Sequence, residues 1–274
     1  MSKRIKTAIS TDTSSFRAQL WVVEGNIGVG KTMVIESMGR QLLQLSRKPA
    51  LHTEDVDRWI SLGLLQPMYA PAADETLGSI ATCAFETLGP FTDFAKRSLA
   101  LFAANPAEVH IWERQISTTL EVFNKLSLDS EYTASSMTQS HSEALHYMVD
   151  VLDLLSGGKL KIKADVLIYL KMSAANCMER KNARDREGEE SVSLDAMQRM
   201  SDAHDEYVAQ YAPGQKKLVI DCNRLGPTGK LLTADAIAAE IINMVYPAAA
   251  NLAGRGSETA TFRKQPIFAE VCSL

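Results

Sequence analysis

Five short strand-like runs alternate with longer amphipathic segments along the chain. Most of the runs are rich in β-branched and aromatic residues, and they predict buried strands at 20–23, 49–53, 109–112, 164–172 and 218–221. Helices are predicted at 33–43, from 115 onward, and at 145–155, 193–211 and 234–245. In the first helix Val34, Met38 and Leu42 recur at the spacing of one buried face. The alternation predicts an α/β fold, a five-stranded parallel sheet with helices on both faces.

The periodic pattern extends over residues 19–246, which we interpret as one domain. The segment 1–18 is basic and rich in Ser and Thr; its charged residues are Lys3, Arg4, Lys6, Asp12 and Arg17. It is typical of a flexible tail, which we favour, and also of an organelle-targeting leader. Residues 247–274 lack periodicity, so we expect a poorly ordered tail. In 61–105 a helical pattern is interrupted by Pro and Gly, which predicts an irregular helical lobe.

Composition narrows the class of protein. The 274 residues are 46% hydrophobic and 23% charged, which is ordinary for a globular protein. A net charge of -4 gives no electrostatic reason to expect nucleic acid or membrane as a partner. The four cysteines, at 83, 177, 222 and 272, form no CxxC pair. Their spacing favours reduced thiols and a cytoplasmic location over disulfides or a zinc site.

The first predicted strand runs directly into a glycine-rich loop. Residues 25–32, GNIGVGKT, fit the phosphate-binding pattern G-x-x-x-x-G-K-[ST] between a strand and a helix. The glycines allow backbone N–H groups to converge on one point, and the helix N-terminus adds partial positive charge. This context predicts a nucleoside-triphosphate site. Its residues are Gly25, Asn26, Ile27, Gly28, Val29, Gly30, Lys31 and Thr32.

Charged residues follow two other predicted strands. Glu54 follows the second strand, and Glu113 and Arg114 follow the third. Because ligands in parallel α/β sheets bind at the carboxyl ends of the strands, we expect these side chains beside the phosphate loop. At this point Glu54 has two interpretations that the spacing supports equally. It is a candidate general base, or it caps the helix that starts near Val56.

A basic helix end is followed by an acidic loop later in the chain. Its basic residues are Arg180, Lys181, Arg184 and Arg186, and its acids are Glu189 and Glu190. The pattern is typical of a solvated salt-bridge face or of an arginine lid over a triphosphate. The phosphate loop favours the lid. His204, in the next helix, is interpreted as a partly buried helix residue.

Four motifs in this order resemble those of the deoxynucleoside kinases. They are EGNIGVGKT at 24–32, EDVDRW at 54–59, WERQ at 112–115 and ARDREGEESVSL at 183–194. The similarity extends over about residues 19–222. It implies a P-loop kinase fold with an arginine-rich lid. It also implies transfer of the γ-phosphoryl group of ATP to the 5′-hydroxyl of a deoxynucleoside, with thymidine or deoxycytidine favoured.

The resemblance implies a role for each residue of the catalytic edge. Glu54 resembles the base for the 5′-hydroxyl proton, and Arg114 resembles the arginine that steadies that oxygen and the phosphoryl group. Lys31 would contact the β- and γ-phosphates, and Thr32 and Glu113 would hold Mg²⁺. These roles fit phosphoryl transfer, which depends mainly on positioning and charge neutralisation.

The lid and the nucleoside pocket also follow from the resemblance. Arg184 and Arg186 would close over the phosphates of ATP. Expected substrate contacts besides Glu54 and Arg114 are Trp59, Tyr69, Thr119 and Glu189. Family members also form a homodimer through helices beside the sheet, so the resemblance implies one here.

The chain departs from the family pattern at several positions. Asp55 replaces the proline of EPV, and Gln115 replaces the serine of ERS. The family reads the base with a glutamine in a Phe-Gln pair, but this chain has Phe85-Glu86 and Phe91-Thr92. Glu86 and Phe91 therefore remain candidates, although an ionised carboxylate accepts hydrogen bonds and cannot donate them.

Two alternatives share part of this pattern. A nucleoside monophosphate kinase has the same loop, sheet and arginine lid, but the carboxylate of Glu54 would repel an acceptor phosphate. A non-catalytic nucleotide-binding regulator needs only the loop, yet Asn124-Lys125 is followed by Leu-Ser and not by a GTPase-type NKxD ending. The substitution Glu54→Gln separates catalysis from nucleotide binding.

Overall fold

The computed structural model describes residues 18–62, 107–128, 138–155, 157–158, 161–211 and 215–247. The strands are β1 (Gln19–Gly25), β2 (Pro49–His52), β3 (Val109–Glu113), β4 (Val166–Lys171) and β5 (Lys216–Asp221). The helices are α1 (Lys31–Gln44), α2 (Val56–Ser61), α3 (Ile116–Ser127), α4 (Gln139–Leu155), α5 (Ala174–Arg184), α6 (Leu194–Gln210) and α7 (Ala234–Val245). Both expected tails lie almost wholly outside these ranges.

All five strands are parallel, in the order β2-β3-β1-β4-β5. This confirms the α/β fold and the five-stranded sheet. In the register, Val23 of β1 lies beside Glu113 of β3, and Gly25 lies beside Leu170 of β4. The carboxyl ends of the three central strands therefore meet beside the glycine-rich loop.

The core is built around these central strands. Trp21, Trp112 and Ile168 are fully buried or nearly so. Near-continuous burial of β1, β3 and β4 is expected for parallel strands that are covered on both faces. The edge strands β2 and β5 have exposed positions. The rigid centre of the sheet thus carries the loop and the end of β3.

Some element boundaries differ from the sequence predictions. Helix α1 begins at Lys31, directly after the loop, where Gly30 takes a left-handed conformation that turns the chain into the helix, and it extends one residue beyond the periodic stretch 33–43. Helix α4 begins at Gln139, within a stretch interpreted as a loop or a helix start. Helix α3 contains a π-helical turn at Thr119–Asn124, which its apolar spacing does not reveal.

Three observations bear on the class of protein that composition and cysteine spacing predict. Cys177 and Cys222 are buried and unpaired by disulfides, and the other two cysteines lie outside the described residues. Within the described ranges, no helix is both long and apolar enough to cross a membrane, and no cluster of three or more His, Cys, Asp or Glu side chains is placed to hold a metal ion.

Candidate active site

The glycine-rich loop is shaped by backbone conformations that disfavour side chains. Gly28 has φ 79° and Gly30 has φ 98°. A Cβ atom at Gly28 would overlap the backbone carbonyl oxygen of Cys177, in α5. A Cβ atom at Gly25 would lie 2.6 Å from the carbonyl oxygen of Leu170. The loop can follow this path only because glycine occupies these positions.

Asn26 connects the loop to helix α6. Its Nδ2 donates to the carbonyl oxygen of Met197 at 2.8 Å and to Oγ of Ser201 at 2.7 Å. Its Oδ1 accepts from the backbone N–H of Ile27 at 2.7 Å. On the other side, Arg180 Nη1 donates to the carbonyl oxygen of Val29 at 3.0 Å. Helix α6 therefore holds the loop at Asn26, and helix α5 holds it at Val29.

Lys31 is buried at the first position of α1. Its Nζ donates to the carbonyl oxygens of Gly25 and Asn26, both at 3.2 Å, and lies 3.9 Å from Oε1 of Glu113. Burial, and then the nearby Arg114, lower the pKa of Lys31 to about 8. The ammonium group thus lies inside the curve of the loop, where the phosphate-binding pattern predicts it.

Thr32 and Glu113 form the predicted hydroxyl–carboxylate pair. Oγ1 of Thr32 donates to Oε2 of Glu113 at 3.0 Å and lies 3.3 Å from Oε1. Burial and the neighbouring Glu54 raise the pKa of the Glu113 carboxyl group. The backbone N–H of Glu54 also points to Oε2 of Glu113, at 3.4 Å. A hydroxyl and a carboxylate therefore lie together at the start of α1.

Arg114 occupies the turn that follows β3. Its φ of 63° is left-handed, which is unusual for a residue with a side chain, and its N–H donates to the carbonyl oxygen of Val23 at 3.0 Å. Nε lies 3.0 Å from Oε1 of Glu54, and the guanidinium carbon lies 4.6 Å from the ring centre of Phe123. Strained backbone of this kind is often found at functional sites.

Glu54 faces this arginine and not the helix that follows it. The N-cap position of α2 belongs to Asp55, whose side chain makes no capping hydrogen bond. The Glu54 side chain is 18% exposed and pairs with Arg114 at the carboxyl edge of the sheet. A carboxylate that is partly open to solvent and next to the phosphate loop can reach a bound hydroxyl group.

The predicted lid residues are close together. Arg184 Nη2 pairs with Oε2 of Glu189, and Arg186 Nη1 lies 3.7 Å from Oε1 of the same carboxylate. Lys181 Nζ donates to the carbonyl oxygen of Glu189 at 2.7 Å. The Glu189 side chain is only 5% exposed, whereas Arg184 is 36% exposed. Both guanidinium groups thus share one buried carboxylate in this structure.

The predicted nucleoside contacts are only partly within the described residues. Trp59 is buried on α2, and Thr119 is buried at the first residue of the π-helical turn. Turns of this type are frequent at functional sites. Tyr69, Glu86 and Phe91 lie outside the described residues.

Glu24 is a site residue whose role sequence reasoning missed. Oε1 accepts from the backbone N–H of Gln115 at 3.1 Å and from Oγ1 of Thr118. Oε2 lies 3.9 Å from Nη1 of Arg114 and makes no hydrogen bond among the described residues. Complete burial raises the pKa of Glu24 to about 7, against the attraction of Arg114. The available signal was a carboxylate at the end of an otherwise apolar strand.

The raised pKa of Glu24 predicts a pH-dependent stability difference. The folded protein holds this proton up to about pH 7, whereas the unfolded chain releases it near the ordinary value of 4.5. The stabilising contribution is therefore complete below about pH 4.5 and is lost as the pH rises through 7. Glu24→Gln removes the titration. The free energy of unfolding of the wild type, relative to this variant, is expected to fall between pH 5 and pH 8.

Denaturant unfolding at several pH values measures this difference. Groups that lie far from Glu24 titrate alike in both proteins, so their contributions cancel in the comparison. A difference that stays constant with pH would show that Glu24 has an ordinary pKa in the folded protein.

Gln115, which replaces the family's serine, makes hydrogen bonds to two tyrosines at the C-terminal end of α6. Nε2 donates to the hydroxyl of Tyr207 at 2.6 Å, and Oε1 accepts from the hydroxyl of Tyr211 at 3.4 Å. Ser117 Oγ lies 2.8 Å from the Tyr207 hydroxyl. The longer amide thus joins the end of β3 to α6 through a buried polar network.

Comparison with known proteins identifies the family. The family model for deoxynucleoside kinases matches residues 21–245. The chain belongs to the deoxynucleoside kinase family. It is therefore an enzyme that phosphorylates nucleosides, and the resemblance given by the four motifs is confirmed.

A solved structure supports the fold independently. Deoxyadenosine kinase from M. mycoides, with bound dATP, superimposes with a TM-score of 0.59. The match covers 83% of this chain and 99% of that chain, at 15% sequence identity. At this identity the likeness shows the fold alone. A search of curated protein sequences gives no match.

Proposed function

We propose that this kinase transfers the γ-phosphoryl group of ATP to the 5′-hydroxyl of a deoxynucleoside. The observation that carries the proposal is the carboxylate of Glu54 next to Arg114 at the edge that holds the phosphate loop. A carboxylate there can accept the hydroxyl proton as the oxygen attacks phosphorus. Arg114 and Lys31 add positive charge where negative charge develops on the phosphoryl oxygens.

Thr32 and Glu113, which meet at the start of α1, are suited to hold a magnesium ion. Mg²⁺ prefers oxygen ligands and is commonly held by one or two carboxylates together with substrate phosphates. Thr32 and Glu113 supply a hydroxyl and a carboxylate side by side. When bound, the ion would neutralise charge on the β- and γ-phosphates. Glu113 would then be ionised, since the added cation offsets the burial that raises its pKa.

The contacts that Arg184 and Arg186 make with Glu189 support a lid whose ion pairs change when ATP binds. Arg184 and Arg186 now share Glu189, and phosphate oxygens would compete for the same guanidinium donors. Release of the arginines would leave the Glu189 carboxylate able to accept a hydrogen bond from the sugar 3′-hydroxyl. We place these three residues in the ATP and nucleoside contacts on that basis.

For the acceptor we propose thymidine or deoxycytidine, as the motif resemblance favours. The test is ATP consumption with thymidine, deoxycytidine, deoxyadenosine and deoxyguanosine, each with Mg²⁺. Turnover with a pyrimidine nucleoside is the expected result. Preference for deoxyadenosine, the nucleoside named for the M. mycoides enzyme, would reverse the substrate assignment. No turnover with any of the four would overturn the deoxynucleoside proposal.

We also propose a homodimer. The C-terminal half of α4 exposes large apolar side chains, among them Tyr147 at 70%, Leu154 at 79% and Leu155 at 77%. Contiguous exposed apolar groups favour association with another surface, and a second copy is the partner implied by the family resemblance. Light scattering that gives a monomer mass at micromolar concentration would contradict the proposal.

A cytoplasmic location is proposed from the cysteines. Cys177 and Cys222 are both buried as free thiols, which is the usual state in a reducing compartment. Fluorescence microscopy of the tagged full chain tests this location, and import into an organelle would instead support a leader at the N-terminus.

A further inference from the structure

His204 is completely buried on α6 and makes two defined hydrogen bonds. Its Nδ1 lies 2.8 Å from the carbonyl oxygen of Met200, one helical turn earlier. Its Nε2 lies 3.1 Å from Nη1 of Arg114. A carbonyl oxygen can only accept and a guanidinium group can only donate. Both contacts are therefore satisfied by one form of the ring, a neutral imidazole with its proton on Nδ1.

The surroundings of the ring favour this neutral form. The ring of Tyr169, from β4, stacks on it at 6.3 Å, and the ring of Phe123, from α3, meets it edge-on at 5.9 Å. The charged groups that act on it are cations, Arg114 after β3 and Lys31 on α1. Burial first, and then Arg114, lower the pKa of His204 to about 3. His204 is thus not the partly buried helix residue that the sequence suggested.

We propose that His204 is a positioning residue for Arg114, holding the guanidinium group so that its Nε side faces Glu54. This rests on the proposed function, since it gives Arg114 and Glu54 a part in phosphoryl transfer. The guanidinium group lies over the Phe123 ring, which limits movement in one direction. The His204 acceptor fixes its rotation within the remaining plane. The left-handed backbone of Arg114 directs the side chain toward both groups.

The contact matters most when Glu54 changes charge. The pair between Arg114 and Glu54 depends on an ionised carboxylate, and it weakens once Glu54 accepts the hydroxyl proton. The hydrogen bond to His204 does not depend on that proton. His204 therefore keeps the guanidinium group in place for the negative charge that develops on the transferred group.

Two substitutions at His204 distinguish the effect of its hydrogen-bonding atoms from the effect of its side-chain volume. His204→Met replaces the ring by an apolar side chain of similar length and removes both the Nε2 acceptor and the Nδ1 donor. His204→Gln can place Oε1 near the former position of Nε2. We expect kcat to fall by about 10- to 100-fold with methionine, because a misplaced catalytic group can cost about 100-fold. Glutamine should recover most of this loss, and the KM for ATP should stay within about twofold in both.

Tyr169→Phe is the matched control. It keeps the ring that stacks on His204 and removes only the hydroxyl, which donates to Asp205 at 2.8 Å. Its kcat should equal that of the wild type. Equal kcat for wild type and methionine variant would overturn the positioning role, as would a glutamine variant no better than the methionine variant.

A ¹⁵N NMR spectrum of the histidine rings tests the contact without turnover. His204 should show a protonated Nδ1 and a hydrogen-bonded, unprotonated Nε2 from pH 5 to pH 8. A proton on Nε2 would overturn the inference even if a methionine variant failed to fold. Failure of the wild type to phosphorylate any deoxynucleoside would instead contradict the proposed function, and the spectrum would still decide the His204–Arg114 contact.

Discussion

Replacement of Glu54 by glutamine is expected to lower kcat by about 10²- to 10⁴-fold, the usual contribution of a general base. Glutamine has almost the same shape, and its amide oxygen can still accept from Nε of Arg114, now 3.0 Å from the carboxylate. The amide cannot take up the proton that the hydroxyl must lose. ATP affinity should stay within about threefold of the wild type, because Lys31 and the loop, to which we assign phosphate binding, are unchanged.

Steady-state turnover and calorimetric titration with ATP measure the two quantities. Asp57→Asn is the matched control, since it makes the same chemical change on an exposed residue in the first turn of α2. Its turnover should equal that of the wild type. If Glu54→Gln retained wild-type turnover, Glu54 would not be the base. Parallel loss of ATP binding would indicate that the substitution disrupts the phosphate loop.

The balance of charge around Arg114 explains why a titrating carboxyl group is tolerated there. Glu24, Glu54 and Glu113 surround the two cations Lys31 and Arg114, so three negative charges meet two positive ones. Burial raises the pKa of both Glu24 and Glu113, so either carboxyl group can take up a proton and make the numbers equal. Removing one partner from a buried charged cluster usually costs more than the pair contributes, so the cluster is expected to act as a unit.

Local patterns were sufficient for the parts of the fold that depend on nearby residues. Short apolar runs predicted all five strands of the described sheet, and in the three central strands these runs reflect burial on both faces. The loop at 25–32 was evident because its glycines and lysine are adjacent in sequence. Glu54, Glu113 and Arg114 were placed together by a simple rule on the carboxyl ends of parallel strands. Some boundaries differed by several residues, as at Gln139, where α4 begins within a polar stretch that has no apolar periodicity.

Contacts between segments that are distant in the sequence could not be predicted from local patterns. His204 and Arg114 are 90 positions apart, and no periodicity connects them. His204 occupies an ordinary position on an amphipathic helix, and only the packing of α6 against the end of β3 gives it a partner. Likewise, the π-helical turn at Thr119–Asn124 depends on the packing of α3, which apolar spacing alone does not encode.

Gly28→Ala is expected to weaken ATP binding by at least about 100-fold, or about 3 kcal/mol. The added Cβ would overlap the carbonyl oxygen of Cys177, which belongs to the backbone of α5 and cannot rotate away. The φ of 79° would cost a further 1–2 kcal/mol or so for any residue with a side chain. Loop and helix must therefore separate, and the loop N–H groups lose the convergence to which we assign phosphate binding. Calorimetric titration with ATP and thermal unfolding measure both effects.

Gly229→Ala distinguishes overlap from backbone strain. Gly229 has a similar φ of 73°, but no described atom lies within 4 Å of the point that a Cβ atom would occupy there. This variant should lose about 1 kcal/mol of stability from backbone strain and none of its ATP affinity. Similar losses of stability in the two variants, with ATP affinity unchanged in both, would mean that α5 moves aside at little cost. In that case the loop would not need the close contact between Gly28 and Cys177. A loss of affinity confined to Gly28→Ala would show that α5, which also carries Arg180 and Arg184, sets the shape of the phosphate site.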